Sequence, residues 1–222
     1  MTNSHANLDQ ILLPLDGSEA AASIVPYIER FAATTGAEVT LLGVAHSPPE
    51  DLPIDPSSAA DIGVITQYLE GMKRRLEENG ISADVDVQEG EASNVIEACA
   101  SGRRCGIIAL STRGRSATGP NLLGITTDML IRSSSVPIVV IPQDGNGGSV
   151  SPTGGVKTVI VGLDGSETAA SSLGMARQFA RDFGLEMVLV RATPPVDSLD
   201  GAATYFGSVS DHAEQYVKRV AD

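Results

Sequence analysis

Residues 10–45 read "QILLPLDGSEAAASIVPYIERFAATTGAEVTLLGVA". The apolar run 10–15 predicts a strand. It stops at Asp16-Gly17, a turn pair. Ser18 follows as a helix N-cap, because its hydroxyl can accept a backbone N–H of the first turn. Ile24, Tyr27, Ile28 and Phe31 recur at helical spacing and predict one helix over 19–34. Gly36 closes that helix as a C-cap, and 38–45, "EVTLLGVA", is a second apolar strand. Strand, helix and strand at these lengths specify parallel strands joined by a right-handed crossover.

The alternation continues. A Pro-rich loop over 46–58 leads to a helix at 59–78, stopped by Gly80. Residues 81–87, "ISADVDV", alternate apolar and polar, the pattern of a half-exposed edge strand. A short helix (92–101), a buried-type strand (106–111), a helix (122–134) and a last strand (136–141) complete the series. The expected fold class is α/β, an open five-stranded parallel sheet with helices on both faces. Ligands of such sheets sit beyond the carboxyl ends of the strands. Asp16, Val44 to His46, Glu89 to Glu91 and Ser111 to Arg115 are therefore the positions to inspect.

The opening stretch occurs twice. At an offset of 148 residues, Asp16-Gly17-Ser18-Glu19 falls on Asp164-Gly165-Ser166-Glu167, Phe31-Ala32 on Phe179-Ala180, Gly36 on Gly184 and Gln67-Tyr68 on Gln215-Tyr216. One fixed offset across both crossovers points to duplication. The expected domains are 1–143, a Gly/Ser/Pro linker at 144–155, and an incomplete second copy at 156–222. Copy two reads β-α-β-α: strands at 157–164 and 185–192, helices at 167–183 and about 206–220. Two parallel strands stabilise themselves poorly. Copy two also lacks a counterpart of the strand 136–141, so the expectation is that copy one pairs with another chain, that copy two packs elsewhere, or that the sequence belongs to a longer chain.

Composition narrows the function. Aromatics are 4% of the chain and Trp is absent, so the core is aliphatic. A net charge of −13 opposes nucleic acid and anionic membrane surfaces; neither is an expected partner. No apolar run approaches the roughly 20 residues of a membrane span, and the N-terminus lacks signal-peptide features. Cys99 and Cys105 match no metal or redox spacing and read as buried thiols. His46 reads as a solvated loop residue. "KRRLEE" (73–78) reads as a helix face with internal charge pairing, and Arg103-Arg104 as charges favouring the end of the preceding helix. There is no Walker lysine and no Ser-His-Asp set, so no catalytic residue is assigned and no enzyme activity is expected.

After the fourth strand, Gly114 and Gly124 flank a loop that carries Arg113 and Arg115 and ends at a helix start. Glycines permit close backbone approach, and a helix start offers free amides to an anion. The strand ending in "PLDGSE", the strand and Pro-rich loop "TLLGVAHSPP", and "ALSTRGRSATGPNLLGITTDMLIRSSSVPIVVI" resemble, in this order, the universal stress protein family. The resemblance implies strand order 3-2-1-4-5 and, in one branch, ATP binding with Mg2+. That branch carries Gly-x2-Gly-x9-Gly followed by Ser or Thr. Here Ser111 stands for the first glycine and Ile125 for the hydroxyl residue. By position, Pro14, Leu15, Asp16 and Val44 would meet the adenine and ribose. Ser111, Gly114, Arg115, Gly124, Ile125 and Thr126 would meet the phosphates. Three readings stay open: a cytoplasmic stress-response protein that holds an adenine nucleotide without hydrolysing it, an interaction protein whose site has decayed, and a slow ATPase. For Asp16, a plain strand-ending turn is an equal alternative. The resemblance also implies a homodimer through the edge strand Val136–Ile141, and unidentified protein partners.

Overall fold

The computed structural model describes residues 8–45, 62–112, 123–142, 156–192 and 213–219. The chain divides into two compact units, one spanning Asn7–Gly154 and one containing Gly155–Asp222.

In the first unit, β1 (Gln10–Pro14), β2 (Glu38–Ala45), β3 (Ala83–Glu89), β4 (Ile107–Ser111) and β5 (Ile138–Ile141) form a five-stranded sheet in order 3-2-1-4-5. All of its strand pairs are parallel. The order reverses between β1 and β4, so their carboxyl ends flank the switch point. Helices α1 (Glu19–Ala22), α2 (Val25–Thr35), α3 (Ile62–Glu78), α4 (Ala92–Gly102) and α5 (Ile125–Ser133) fill the crossovers.

The pleat of β1 sends successive side chains to opposite faces, and both faces are covered: Ile11, Leu12 and Leu13 are fully buried. Leu12, Leu42, Ile108 and Leu110 pack under Ile96, Cys99 and Ala100 of α4 and Leu130 of α5. On the other face Gly43 brings α3 close to β2, since a Cβ there would collide with Ile65 and touch Leu69 at 3.0 Å.

The helix expected over 19–34 is broken. It ends at Ala22 and restarts at Val25 with Pro26 in its first turn. Proline has no N–H to give the Ala22 carbonyl, and its ring crowds that carbonyl. Strand β3 begins two residues later than its alternation suggests. Ile81 is instead buried in the turn after α3, its N–H bonded to Leu76 O at 3.0 Å. β3 does lie at a sheet edge, as expected, and β5 at the other.

Two charge readings gain partners on other elements. Lys73 pairs with Glu77 within α3, but Arg75 reaches across to Glu29 of α2 at 2.7 Å. Arg103, at the C-cap of α4, bridges Asp84 and Asp86 of β3, both at 3.1 Å. Cys99 and Cys105 are buried free thiols, and burial, with Asp86 adding to it, pushes the Cys99 thiol up to about 11.

The second unit contains β6 (Thr158–Gly162), α6 (Glu167–Phe183) and β7 (Glu186–Val190), with residues 213–219 also helical. β6 and β7 pair in parallel, Thr158 opposite Glu186, the register of Gln10 opposite Glu38 in the first unit. Val161, Leu163 and Leu173 form a small core with Met187, Leu189 and Tyr216 around it. Ile160, Val188 and Val190, on the other face, are exposed. Among the described residues no helix is long and apolar enough to cross a membrane.

Candidate functional site

The tip of β1 is built by its own sequence. Leu15 N–H donates to Leu42 O at 2.9 Å, carrying the β1–β2 pairing one residue past the strand. Gly17 then turns with φ +80°, a region open to glycine. The Asp16 carboxylate accepts the Ser18 N–H at 2.9 Å and the Ser18 hydroxyl at 2.6 Å. The Ser18 oxygen in turn accepts the Ala21 N–H at 3.0 Å, so Ser18 is the N-cap expected of it. Asp16 thus forms the strand-ending turn while standing at the switch point.

Across the sheet, α5 starts at Gly124, which caps the helix without a side-chain bond. Gly124 N–H donates to Thr112 O at 2.8 Å, and the buried Thr127 hydroxyl donates to Ser111 O at 3.2 Å. Those two bonds fix the start of α5 against the end of β4. The first-turn amides of a helix have no intrahelical acceptor, so this end is suited to an anion.

Between the two tips lies a pocket of about 150 Å³. Its wall includes Pro14, Leu15, Asp16, Val44, Ser111, Gly124, Ile125 and Thr126, all of them positions singled out by sequence. Gly114 and Arg115, with Arg113 and His46, lie outside the described residues. Ala21, Leu42, Ala92, Ile96, Leu110 and Thr127 also line the pocket and were not anticipated. Leu42 was readable in principle, two residues before Val44 and so on the same strand face. Ala92 and Ile96 depend on how α4 crosses the sheet, which local sequence does not encode.

The pocket offers aliphatic walls for a flat ring, the Asp16 carboxylate and Ser and Thr oxygens as acceptors, and α5 amides as donors. Burial first, and then the Asp16 charge, raises the Tyr68 phenol above the usual range. Its hydroxyl is buried without a hydrogen-bond partner among the described residues. No group of three His, Cys, Asp or Glu side chains among the described residues is placed to hold a metal ion.

An open parallel α/β sheet of order 3-2-1-4-5 with a pocket at its switch point defines a doubly wound α/β domain with the Rossmann-type strand order. The family model for the universal stress protein family matches residues 7–142, and the chain belongs to that family. A universal stress protein of Mycobacterium tuberculosis H37Rv is 30% identical over 108 residues, which are 49% of this chain and 36% of that protein. This chain therefore spans about a third of that relative in the matched region. One from Methanocaldococcus jannaschii is 25% identical over 139 residues, 60% of this chain and 82% of that one.

Among solved structures, UspA of Lactobacillus plantarum superimposes with a TM-score of 0.55 at 19% identity, over 60% of this chain and 97% of that one. A universal stress protein of Archaeoglobus fulgidus gives 0.67 at 21% identity, over 94% of this chain and 75% of that one. Both likenesses are of fold.

Proposed function

We propose that the first unit binds an adenine nucleotide in the pocket between β1 and β4, holds it without rapid hydrolysis, and acts as a ligand-sensing stress protein of the cytoplasm. The observation that supports this reading most is the convergence of eight sequence-selected residues on one pocket at the switch point. The donor set suits the base and ribose, which Asp16 and the apolar wall can meet. Asp16 is the one carboxylate on the described wall, so Mg2+ would arrive with the phosphates rather than be held by the protein. A group placed to activate water does not occur among the described lining residues, which fits a sensing role better than a catalytic one. Bound nucleotide would act by shifting association, with the β5 edge as the surface where a second copy pairs.

The competing reading, an interaction protein with a decayed site, is favoured by Ser111 and Ile125. Ser111 is buried at the pocket wall, and Ile125 places an apolar side chain, 72% exposed, at the start of α5. Isothermal titration with Mg-ATP, AMP and buffer separates the two. Heat that saturates supports binding; none at millimolar nucleotide leaves the decayed site. The double substitution Ser111→Gly with Ile125→Ser should tighten ATP binding about tenfold, the equivalent of about 1.4 kcal/mol.

A further inference from the structure

The geometry points to Arg191 as a latch that ties the second Asp-Gly-Ser turn to the 213–219 helix. It belongs to the second unit and is independent of nucleotide binding in the first.

One guanidinium meets two elements. Its atoms lie 3.1–3.2 Å from where a Gly165 Cβ would stand, and its central carbon lies 4.9 Å from the centroid of the Tyr216 ring. Gly165 turns with φ +95°, a region open to glycine, and its bare Cα leaves the room that the guanidinium takes. A planar cation with five N–H donors suits both contacts, since it stacks on an aromatic face and offers N–H groups to a turn. The same turn carries Asp164, which accepts the Ser166 N–H at 2.8 Å. Its carboxyl lies below the usual carboxylate range, through the Ser166 bonds first and the Arg191 charge after them. Arg219 also approaches the Tyr216 ring, at 5.7 Å, but it stands on the same helix as the ring, so that contact cannot tie the helix to the turn.

The two copies fill this place from opposite sides. At the 148-residue offset Arg191 replaces Gly43, Gly165 replaces Gly17, Tyr216 replaces Tyr68 and Ala213 replaces Ile65. In the first copy a Cβ at Gly43 would collide with the Ile65 side chain, so the helix supplies the bulk and the strand gives way. In the second copy the helix has the small residue, buried Ala213, and the strand has the large one. An arginine stem supplies apolar volume as an isoleucine does, and its length carries the charge on to the tip. Large and small residues have thus changed places together, and the exchange leaves one side chain holding the turn and the helix at once. Loosening either end releases the other.

A coupling measurement on the full chain tests the latch. Tyr216→Leu removes the ring. The expected result is a shift of the Gly165 and Ser166 amide resonances, with amide exchange in 213–219 about two- to fivefold faster, the size of an exposed cation–π contact. Arg191→Met keeps an apolar stem and removes the charge. In that background Tyr216→Leu should leave the Gly165 and Ser166 resonances where Arg191→Met alone puts them, because two changes on one coupled path do not add. Equal shifts from Tyr216→Leu in both backgrounds would overturn the latch, since the ring would then act on the turn without Arg191. No shift in either background would overturn it too. Arg191→Met alone is the arm that stands even where loss of the Tyr216 ring unfolds the unit: it should speed exchange in 213–219 by a similar factor, and unchanged exchange there would contradict the latch.

Discussion

Leu12 and Ile160 occupy the same place in two β-α-β units and have different surroundings. Leu12 is 0% exposed, under Ile96, Ala100 and Leu130. Ile160 is 70% exposed. The same holds one strand over, where Leu42 is fully buried and Val190 is 45% exposed. The strands, their register and the Asp-Gly-Ser tip are alike in the two units. What differs is the second half of the fold: α4, β4 and α5 in the first unit supply both the cover for that sheet face and the far wall of the pocket. A tip alone is half a site. In the second unit Asp164 accepts the Ser166 N–H at 2.8 Å, and Ser166 caps α6 through Ala169 N–H at 3.0 Å, a close copy of the Asp16 turn. Among the described residues nothing of the second unit stands opposite it as Ser111 and Gly124 stand opposite Asp16.

Substitutions at the paired positions should break or sharpen this contrast. The largest effect belongs to Leu12→Ala, which opens a cavity in a filled core and should cost about 2–5 kcal/mol of stability. Ile160→Ala should stay within about 0.5 kcal/mol, as surface changes do. Chemical denaturation of the two variants measures both. Comparable losses would mean that Ile160 is covered in solution. Next in size is the helix comparison. Pro26 splits the first crossover helix into α1 and α2, whereas its counterpart Gly174 lies within the unbroken α6, Glu167–Phe183. Gly174→Pro should therefore break α6 at a loss of about 3 kcal/mol, and Gly174→Ala should stabilise it by up to about 1 kcal/mol. Local amide exchange in α6 reads both.

Smaller effects follow from side chains that replace one another between the copies. Gly43 seats α3 on β2; the equivalent residue, Arg191, lays its guanidinium 3.1–3.2 Å from where a Gly165 Cβ would stand and 4.9 Å from the Tyr216 ring centroid. Arg191→Ala should loosen the 213–219 helix by about 0.5–1 kcal/mol, the size of an exposed cation–π contact, and faster exchange there is the readout. The smallest effect concerns acid. The hydrogen bond from Arg103 holds the Asp84 carboxyl below the usual carboxylate range, with burial opposing it. A carboxyl depressed by folding stabilises the protein above its unfolded value, and that stability is lost as pH falls through the depressed one. Arg103→Ala should thus lower the melting temperature near neutrality and make no difference in acid. Because the pair is largely exposed, the loss should not exceed about 1 kcal/mol.

Much of this was legible in local sequence. The five apolar runs and the helical spacing between them set the alternation; the strand tips singled out Asp16, Val44 and Ser111, the glycine loop Gly124, and the family resemblance Pro14, Leu15, Ile125 and Thr126. What escaped did so for identifiable reasons. The helix break turns on Pro26, whose effect depends on the carbonyl four residues back and was outweighed by the apolar spacing around it. Arg103 and Arg75 chose carboxylates on other elements, at 3.1 and 2.7 Å, over the local options that spacing suggests. Ala92 and Ile96 reach the pocket because α4 crosses the sheet where it does, a tertiary fact. Thr127 was overlooked in favour of Thr126, although the residue whose hydroxyl ties α5 to β4 is Thr127.

The central claim is that the two similar tips are one site and one half-site. Amide chemical-shift mapping of the full chain during titration with adenosine tests it most directly. The account predicts saturable shifts at Asp16, Val44, Ser111 and Ile125 and none at Asp164, Gly165 or Val190. Shifts of equal size and affinity at the second tip would contradict it.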